Sequence, residues 1–558
     1  MINTQNLLID FLYTKTGLET VKVNNILLHS KYDPIKEAKK VIEESFDEEK
    51  TNILFGFGLG YLYKEIQDTY DQEVIVIDPI FAHLSQHAII QPKYVIDSVD
   101  KVKINRLLHR ELEFYSRKIN VICAPSYQKI FMEEYKETLN ILKNVQHSNM
   151  ISENTVRFFS EQWQINYVRN LSQLNKFDTF NKLINKFSAP IVIASGGPSL
   201  LKQIPNLKKY RKNFILMASG STINSLIKED IYPDFIVSVD GGEANYNHFK
   251  NLDIKNGNLI FSFSSHHKIQ EEFAGNMYSF LLNDDHAFQK YIYNEFGINF
   301  PMLVGGTSVA NFALSCAIHM TTGPISIIGQ DLAYTNNQTH AKGNNHFKEI
   351  DKDYLIKKKA FKEKGYEGGE VWTDSLFVAM REEFEKLYDI YGEKKIIYNC
   401  TEGGLQIERI PQMNFEYFCK KYFKDPVELL ELKEQINVAH HFSMRDFLQK
   451  ELERYDLLIK EVKDVLLDLK MERNQNFFSN KLLKKLDKVD EKIKKIQEQS
   501  SINYILEPVL LDAVIQPQYK KEDTREIKFE KAYSQNEKLY NDIIAVLIKM
   551  KLIVNEII

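Results

Sequence analysis

Apolar positions along this chain follow two different periods, and the change from one to the other divides it. From Thr51 the run TNILFGFGLGYLYKEI, a short polar stretch and then EVIVIDP read as strand, glycine turn, helix and second strand. From Pro190 short apolar runs recur as IVIASGGPSL, NFILMASGST, DFIVSVDGG, NLIFSFSS and ISIIGQDLAY, each ending in small or polar residues, with helical stretches between several of them. Unbroken apolar runs of this length suit strands buried on both faces, so the pattern predicts a parallel α/β sheet. After Asp425 the period lengthens. Leu458, Val462, Val465 and Leu469 recur at helical spacing, and the stretches from Lys481 to Gln497 and from Arg525 to Ile558 continue the same texture.

A chain of 558 residues exceeds the roughly 250–300 residues at which a single core stops growing. The expected organisation is α/β, with a smaller Rossmann-like domain over residues 1–150 and a helical connector over 151–189. A Rossmann-like parallel-sheet domain over 190–424 and an all-helical module over 425–558 follow. A content of 44% hydrophobic and 27% charged residues is that of a folded chain. The formal net charge of -4 offers no field for a polyphosphate backbone, which argues against a nucleic-acid partner. Cys123, Cys316, Cys400 and Cys419 are widely spaced without zinc-ligand companions, as in a reduced cytoplasm. MINTQNLLIDFLYTKTG lacks the basic and then apolar regions of a signal peptide, and no run approaches the roughly 20 apolar residues of a membrane span. A cytoplasmic protein without membrane contact is expected.

Ligands of parallel α/β sheets bind beyond the carboxyl ends of the strands, where this chain collects its glycines and polar residues. Ser195-Gly196-Gly197-Pro198-Ser199 lies between a strand and a helix beginning near Ser199, so its backbone N–H groups and the helix dipole suit a phosphate or ribose. The Ser199 hydroxyl either adds a bond to the ligand or caps the helix. Gly220 and Ser221 leave the next strand, Asp240 the third, and Gly306 and Thr307 precede a later helix. Gln330, Asp331 and Tyr334 follow a further strand, then come His340 and His346 in a polar loop and Thr401-Glu402-Gly403-Gly404 at another exit. The spacing of His340 and His346 is not that of a helical metal site, and no metal is expected. Gly56, Gly58 and Gly60 followed by Asp78 admit two readings, a nucleotide site or close strand-to-helix packing.

The segments GGPSL, GQDLAYT, TH-A-K-G and TEGG resemble those of the motility-associated-factor flagellin glycosyltransferases. The likeness covers most of the chain and is strongest from Pro190 to Pro411, a region also similar to bacterial sialyltransferases. The resemblance implies transfer of a pseudaminic- or legionaminic-type nonulosonic acid from its CMP donor to serine or threonine hydroxyls of flagellin, with no obligatory cofactor. It implies donor contacts at Gly196, Gly197, Pro198, Ser199, Gly220, Ser221, Thr401, Gly403 and Gly404, with Gln330 near the transferred sugar. Ser195, Asp240, Gly306 and Thr307 join this donor set from their places at the strand and helix exits, where Asp240 either binds a hydroxyl or stabilises its own turn. The Thr401–Gly404 loop falls beside the cytidine. Tyr334 is expected to meet the departing phosphate, and His340 is a candidate base, with Asp331, Glu402 or Asp374 as substitutes. The sialyltransferase histidine has no counterpart in EGGEVWTDS, residues 367–375. A pterin diphosphokinase of related central domain, a methyltransferase using the GFGLG turn, and a non-enzymatic flagellin holdase are the competing readings.

Overall fold

The computed structural model describes residues 7–48, 50–70, 74–97, 119–250, 257–427, 443–500, 503–515 and 523–558. By contact these form two compact units, residues 1–158 with 508–539 and residues 159–507 with 540–558. This division follows a different line from the change of texture near residue 425, because the helices Met444–Glu472 and Asn480–Gln499 belong to the same unit as the large sheet.

The large sheet has nine strands, and every pairing in it is parallel. Ile191–Ala194, Ile215–Ser219, Phe235–Ser238, Asn258–Ser262 and Ile325–Ile328 are buried at every position, as their apolar runs predict. Asn276–Leu282, Met302–Leu303 and Ile397–Asn399 complete the path. Asp178–Thr179, from within the stretch expected to be a helical connector, pairs with Asn276–Leu282. The connector helix itself starts earlier than expected and runs over Met132–Ser172.

Strand order creates the site. From Ile191–Ala194 the next five strands of the path, through Met302–Leu303, add on one side, whereas Ile325–Ile328 and then Ile397–Asn399 add on the other. The chain therefore reverses direction between Ile191–Ala194 and Ile325–Ile328, and loops leaving these two strands diverge around a crevice at their carboxyl ends. The helix Val309–Met320, apolar nearly all round, is buried against the strands Ile191–Ala194, Ile215–Ser219 and Phe235–Ser238. In the C-terminal helices, Leu458, Val462, Val465 and Leu469 form the buried stripe that their spacing predicts.

The smaller unit repeats the device and fills it. Its parallel sheet has the order Tyr94–Ile96, Ile75–Ile77, Thr51–Phe55, Ile119–Cys123, which again reverses at the first strand, where GFGLG leaves Thr51–Phe55. Here the donors of the glycine turn are taken by the protein. The buried Asp78 accepts from the N–H of Phe57 (2.8 Å), Gly58 (3.1 Å) and Ile80 (2.8 Å) and from the Tyr127 hydroxyl (2.6 Å). His29 Nε2 accepts from the N–H of Leu59 at 2.9 Å. A Cβ on Gly58 would lie 2.4 Å from that Nε2, so the glycine admits a protein side chain and not a cofactor. Of the two readings of GFGLG and Asp78, close packing is the one realised. Asp78→Asn turns an amide donor against one of these N–H groups and is expected to destabilise the unit by about 2 kcal/mol. Thermal melting of the variant checks this, with the properties of the large sheet's crevice unchanged.

Candidate functional site

The crevice is built on a clip between two strand exits. Ser199 Oγ donates to Asp331 Oδ1 at 2.6 Å, and the Ser199 N–H donates to the same carboxylate at 3.1 Å. Ser199 stands before the helix Leu200–Tyr210 without capping it, since its hydroxyl is turned to Asp331. The Gly197 N–H donates to the carbonyl of Gly329 at 2.8 Å, and the Leu405 N–H to the carbonyl of Asp331 at 2.7 Å. Burial raises the pKa of Asp331, while the Ser199 bonds and the Lys202 ammonium act to lower it. This carboxylate is buried and committed to Ser199.

Thr401–Gly404 closes the far side. Thr401 Oγ1 accepts from the Gln330 N–H at 3.3 Å, Gly403 packs beside Ser199 Cβ, and Gly404 lies against the Asp331 backbone. The carboxylate of Glu402 is occupied by the N–H of Phe415 (2.8 Å), Gln203 Nε2 (3.1 Å) and Asn414 Nδ2, and its carbonyl accepts from Lys202 Nζ at 2.7 Å. Tyr334 donates its hydroxyl to Asp374 Oδ2 at 2.6 Å. Asp374 in turn caps the helix Ser375–Tyr391 through the N–H groups of Leu376 and Phe377. Tyr334 and Asp374 therefore brace one another.

On the near side the loop carrying His340 is fastened to two strand exits. Its Ala341 N–H donates to the carbonyl of Gly196 at 2.9 Å, and Asn344 Nδ2 donates to Ser221 Oγ at 3.0 Å. A Cβ on Gly196 would meet Asn344 Nδ2, Thr222 Oγ1 and then His340 Cδ2 at 3.6 Å, which sets these three side chains around the turn. His346 Nε2 lies 3.1 Å from His248 Nε2, on the helix Glu243–Phe249. Burial, and then the neighbouring His346, lower the pKa of His340. Burial followed by His346 and His340 brings His248 down to about 4, so both rings are neutral near pH 7. Among the described residues no group of three or more His, Cys, Asp or Glu side chains is arranged to hold a metal ion.

Three buried polar atoms bordering the crevice, Ser195 Oγ, Gln330 Oε1 and His340 Nδ1, have no protein partner among the described residues. Buried polar groups are nearly always paired, and their concentration on adjacent exits suits a polar ligand. Gly306 and Thr307 stand apart. Gly306 packs on Glu383 and Asn311, Ser308 caps the helix Val309–Met320, and no hydrogen bond between described residues joins this loop to the crevice. Asp285 is buried among Tyr167 (2.6 Å), Tyr504 and the Leu282 N–H (2.9 Å). Asn344 and His248 escaped the sequence reading because nothing in their spacing marks them. A signal did exist for Asn166 and Asn170, four apart on one helix face, whose amides bind the carbonyls of Gly241, Phe263, Ser264 and Ser265 at 2.9–3.0 Å.

Sheet order and exits define a doubly wound parallel α/β protein whose switch-point crevice is the candidate ligand site. Residues 165–337 match a family model described as 6-hydroxymethylpterin diphosphokinase MptE-like. No curated protein matches the chain in sequence. Among solved structures, the MAf glycosyltransferase from Magnetospirillum magneticum AMB-1 aligns over 98% of this chain and 92% of its own, with a TM-score of 0.57 at 13% identity. The chain has the fold of that glycosyltransferase over nearly its whole length. Among the described residues no helix is long and apolar enough to cross a membrane.

Proposed function

We propose that this protein is a glycosyltransferase that moves a nonulosonic acid of the pseudaminic or legionaminic type from its CMP donor to serine or threonine hydroxyls of flagellin in the cytoplasm. The observation that carries this reading is the full-length likeness to a glycosyltransferase, which takes in both units and not the central sheet alone. In this reading the phosphate lies against the Gly196–Gly197 turn, beside the Ser195 hydroxyl, since the N–H groups of Gly197 and Ser199 are already given to the Gly329 carbonyl and to Asp331. Ser195 and Gln330 supply polar contacts, and Thr401–Gly404 borders the cytidine. A monophosphate leaving group demands less charge neutralisation than a diphosphate, so no metal is invoked.

A pterin diphosphokinase is the second reading, favoured by the family match over residues 165–337. That match ends before the His340 loop and before Thr401–Gly404, two of the walls of the crevice, which favours the glycosyltransferase. The deciding experiment is the intact mass of flagellin co-expressed with this protein and a nonulosonate pathway. The expected result is a gain of one or more sugar masses that disappears with Gly197→Trp. Unmodified flagellin, together with turnover of 6-hydroxymethylpterin and ATP by the purified protein, would establish the second reading instead. Unmodified flagellin that still binds would mark a holdase.

A further inference from the structure

The crevice extends beyond the glycine turn, across the exits of Ile215–Ser219 and Phe235–Ser238. A Cβ built on Gly220 or on Gly242 meets nothing within 4 Å, so open space lies over both exits. Asp240 leaves the second of these strands. Its backbone is held from two sides, the carbonyl accepting from Asn245 Nδ2 at 2.7 Å and from the His266 N–H at 3.3 Å. The next residue is locked as well, since a Cβ on Gly241 would lie 2.6 Å from both Asn166 Nδ2 and the Ser264 carbonyl. On this fixed backbone the Asp240 carboxylate has no hydrogen-bond or ion-pair partner among the described residues. The side chain is exposed, so the carboxylate is open to a ligand at this exit.

Four other carboxylates at strand exits are spent on the fold. Asp331 holds Ser199, Glu402 holds the start of the helix Phe415–Tyr422, Asp374 caps a helix and braces Tyr334, and Asp285 binds two tyrosines. Asp240 is the one of the five without such work. We propose that Asp240 is the general base that takes the proton of the acceptor hydroxyl, an assignment that rests on the glycosyl-transfer reading.

The layout suits the role. With cytidine at Thr401–Gly404 and phosphate at Gly196–Gly197, the sugar lies on the opposite side of the turn, over Gly220. The exits of Ile191–Ala194 and Phe235–Ser238 are two strands apart, about 10 Å at the usual strand spacing, which leaves the width of one sugar ring between phosphate and carboxylate. In the step itself, the acceptor oxygen bonds to the anomeric carbon as the bond from that carbon to the phosphate oxygen breaks. The electron pair departs on CMP, and the hydroxyl proton passes to Asp240 and then to water.

The test compares Asp240→Asn, Asp240→Ser and Asp240→Glu in the full chain, reading CMP-nonulosonate binding by titration, transfer by the mass of purified flagellin, and melting temperature. The first two variants are expected to melt like the wild type and bind donor within about twofold. Their transfer should fall by about 10²–10⁴-fold, and Asp240→Glu should exceed both. Transfer by Asp240→Asn within about fivefold of the wild type would overturn the assignment, as would a loss of donor binding that matches the loss of transfer. A wild-type chain that neither binds the donor nor modifies flagellin would bring down the glycosyl-transfer reading itself and this base with it, an outcome separate from any effect of the variants.

Discussion

Gly197→Ala is expected to abolish sugar transfer and to weaken donor binding by at least about 100-fold, equivalent to about 2.7 kcal/mol. The added Cβ would lie 2.1 Å from Asp331 Oδ1 and 2.6 Å from the Gly329 carbonyl, both closer than any real contact. The Gly329 carbonyl is backbone and cannot turn aside. Asp331 can, but then it releases the Ser199 hydroxyl and N–H and opens the turn that the phosphate is proposed to occupy. Overpacking of this kind costs about 1–3 kcal/mol of stability in addition. Gly369→Ala is the control, because a Cβ there meets nothing within 4 Å and Gly369 lies at the turn of the hairpin Phe361–Lys364/Glu370–Thr373. Titration with CMP-nonulosonate and thermal melting of both variants give the two magnitudes. Retained donor affinity in Gly197→Ala would show that the Ser199–Asp331 clip does not shape the donor site.

The second large effect is expected in the smaller unit, as a dependence of its stability on pH. His29 is buried and accepts from the Leu59 N–H, so it is neutral in the folded chain, and burial lowers its pKa to about 4. An unfolded chain takes up this proton near pH 6.5. Between about pH 6.5 and 4 the unfolded state therefore binds a proton that the folded state does not. Stability that is fully present above pH 6.5 is lost as the pH falls, reaching about 3 kcal/mol near pH 4 and then levelling. Amide exchange of the strand Thr51–Phe55, followed from pH 7 to 4, reads this directly. His29→Gln, whose amide oxygen can accept the same N–H, is expected to flatten the His29 part of the curve. An unchanged slope in that variant would assign the acid sensitivity to other groups.

Both effects arise where a glycine turn leaves the first strand of a reversing parallel sheet, yet the two turns have different fates. In the smaller unit Asp78, Tyr127 and His29 saturate the N–H groups of Phe57, Gly58 and Leu59. In the larger one the Gly197 and Ser199 N–H groups are likewise taken, by the Gly329 carbonyl and Asp331, but the side chains of Ser195, Gln330 and His340 beside the turn keep buried polar atoms without partners among the described residues. GFGLG and SGGPSL look alike as text because the tight turn and the close approach are encoded locally by glycine. What approaches is not, since Asp78 and Tyr127 come from other strands and helices.

The sequence by itself determined the strands of the large sheet, their exits and the buried helical stripe after residue 443. Each is written in local periodicity: an unbroken apolar run buried on both faces, a small residue where the chain must turn, a repeat of three and four on a helix. Some short strands, such as Asp178–Thr179 and Met302–Leu303, were invisible because two residues carry no period. Only the tertiary structure decided strand order, and with it the crevice, since pairing depends on how crossovers pack and not on any strand's own residues. It also decided which acids are free. Ser199 and Asp331 are 132 residues apart and meet because their strands' exits flank the reversal. Residue type shows that a carboxylate can serve as a base; whether its oxygens are already taken depends on neighbours distant in the chain, and that is why Asp331 and Glu402 are bound into the fold while Asp240 is left exposed at its strand's exit.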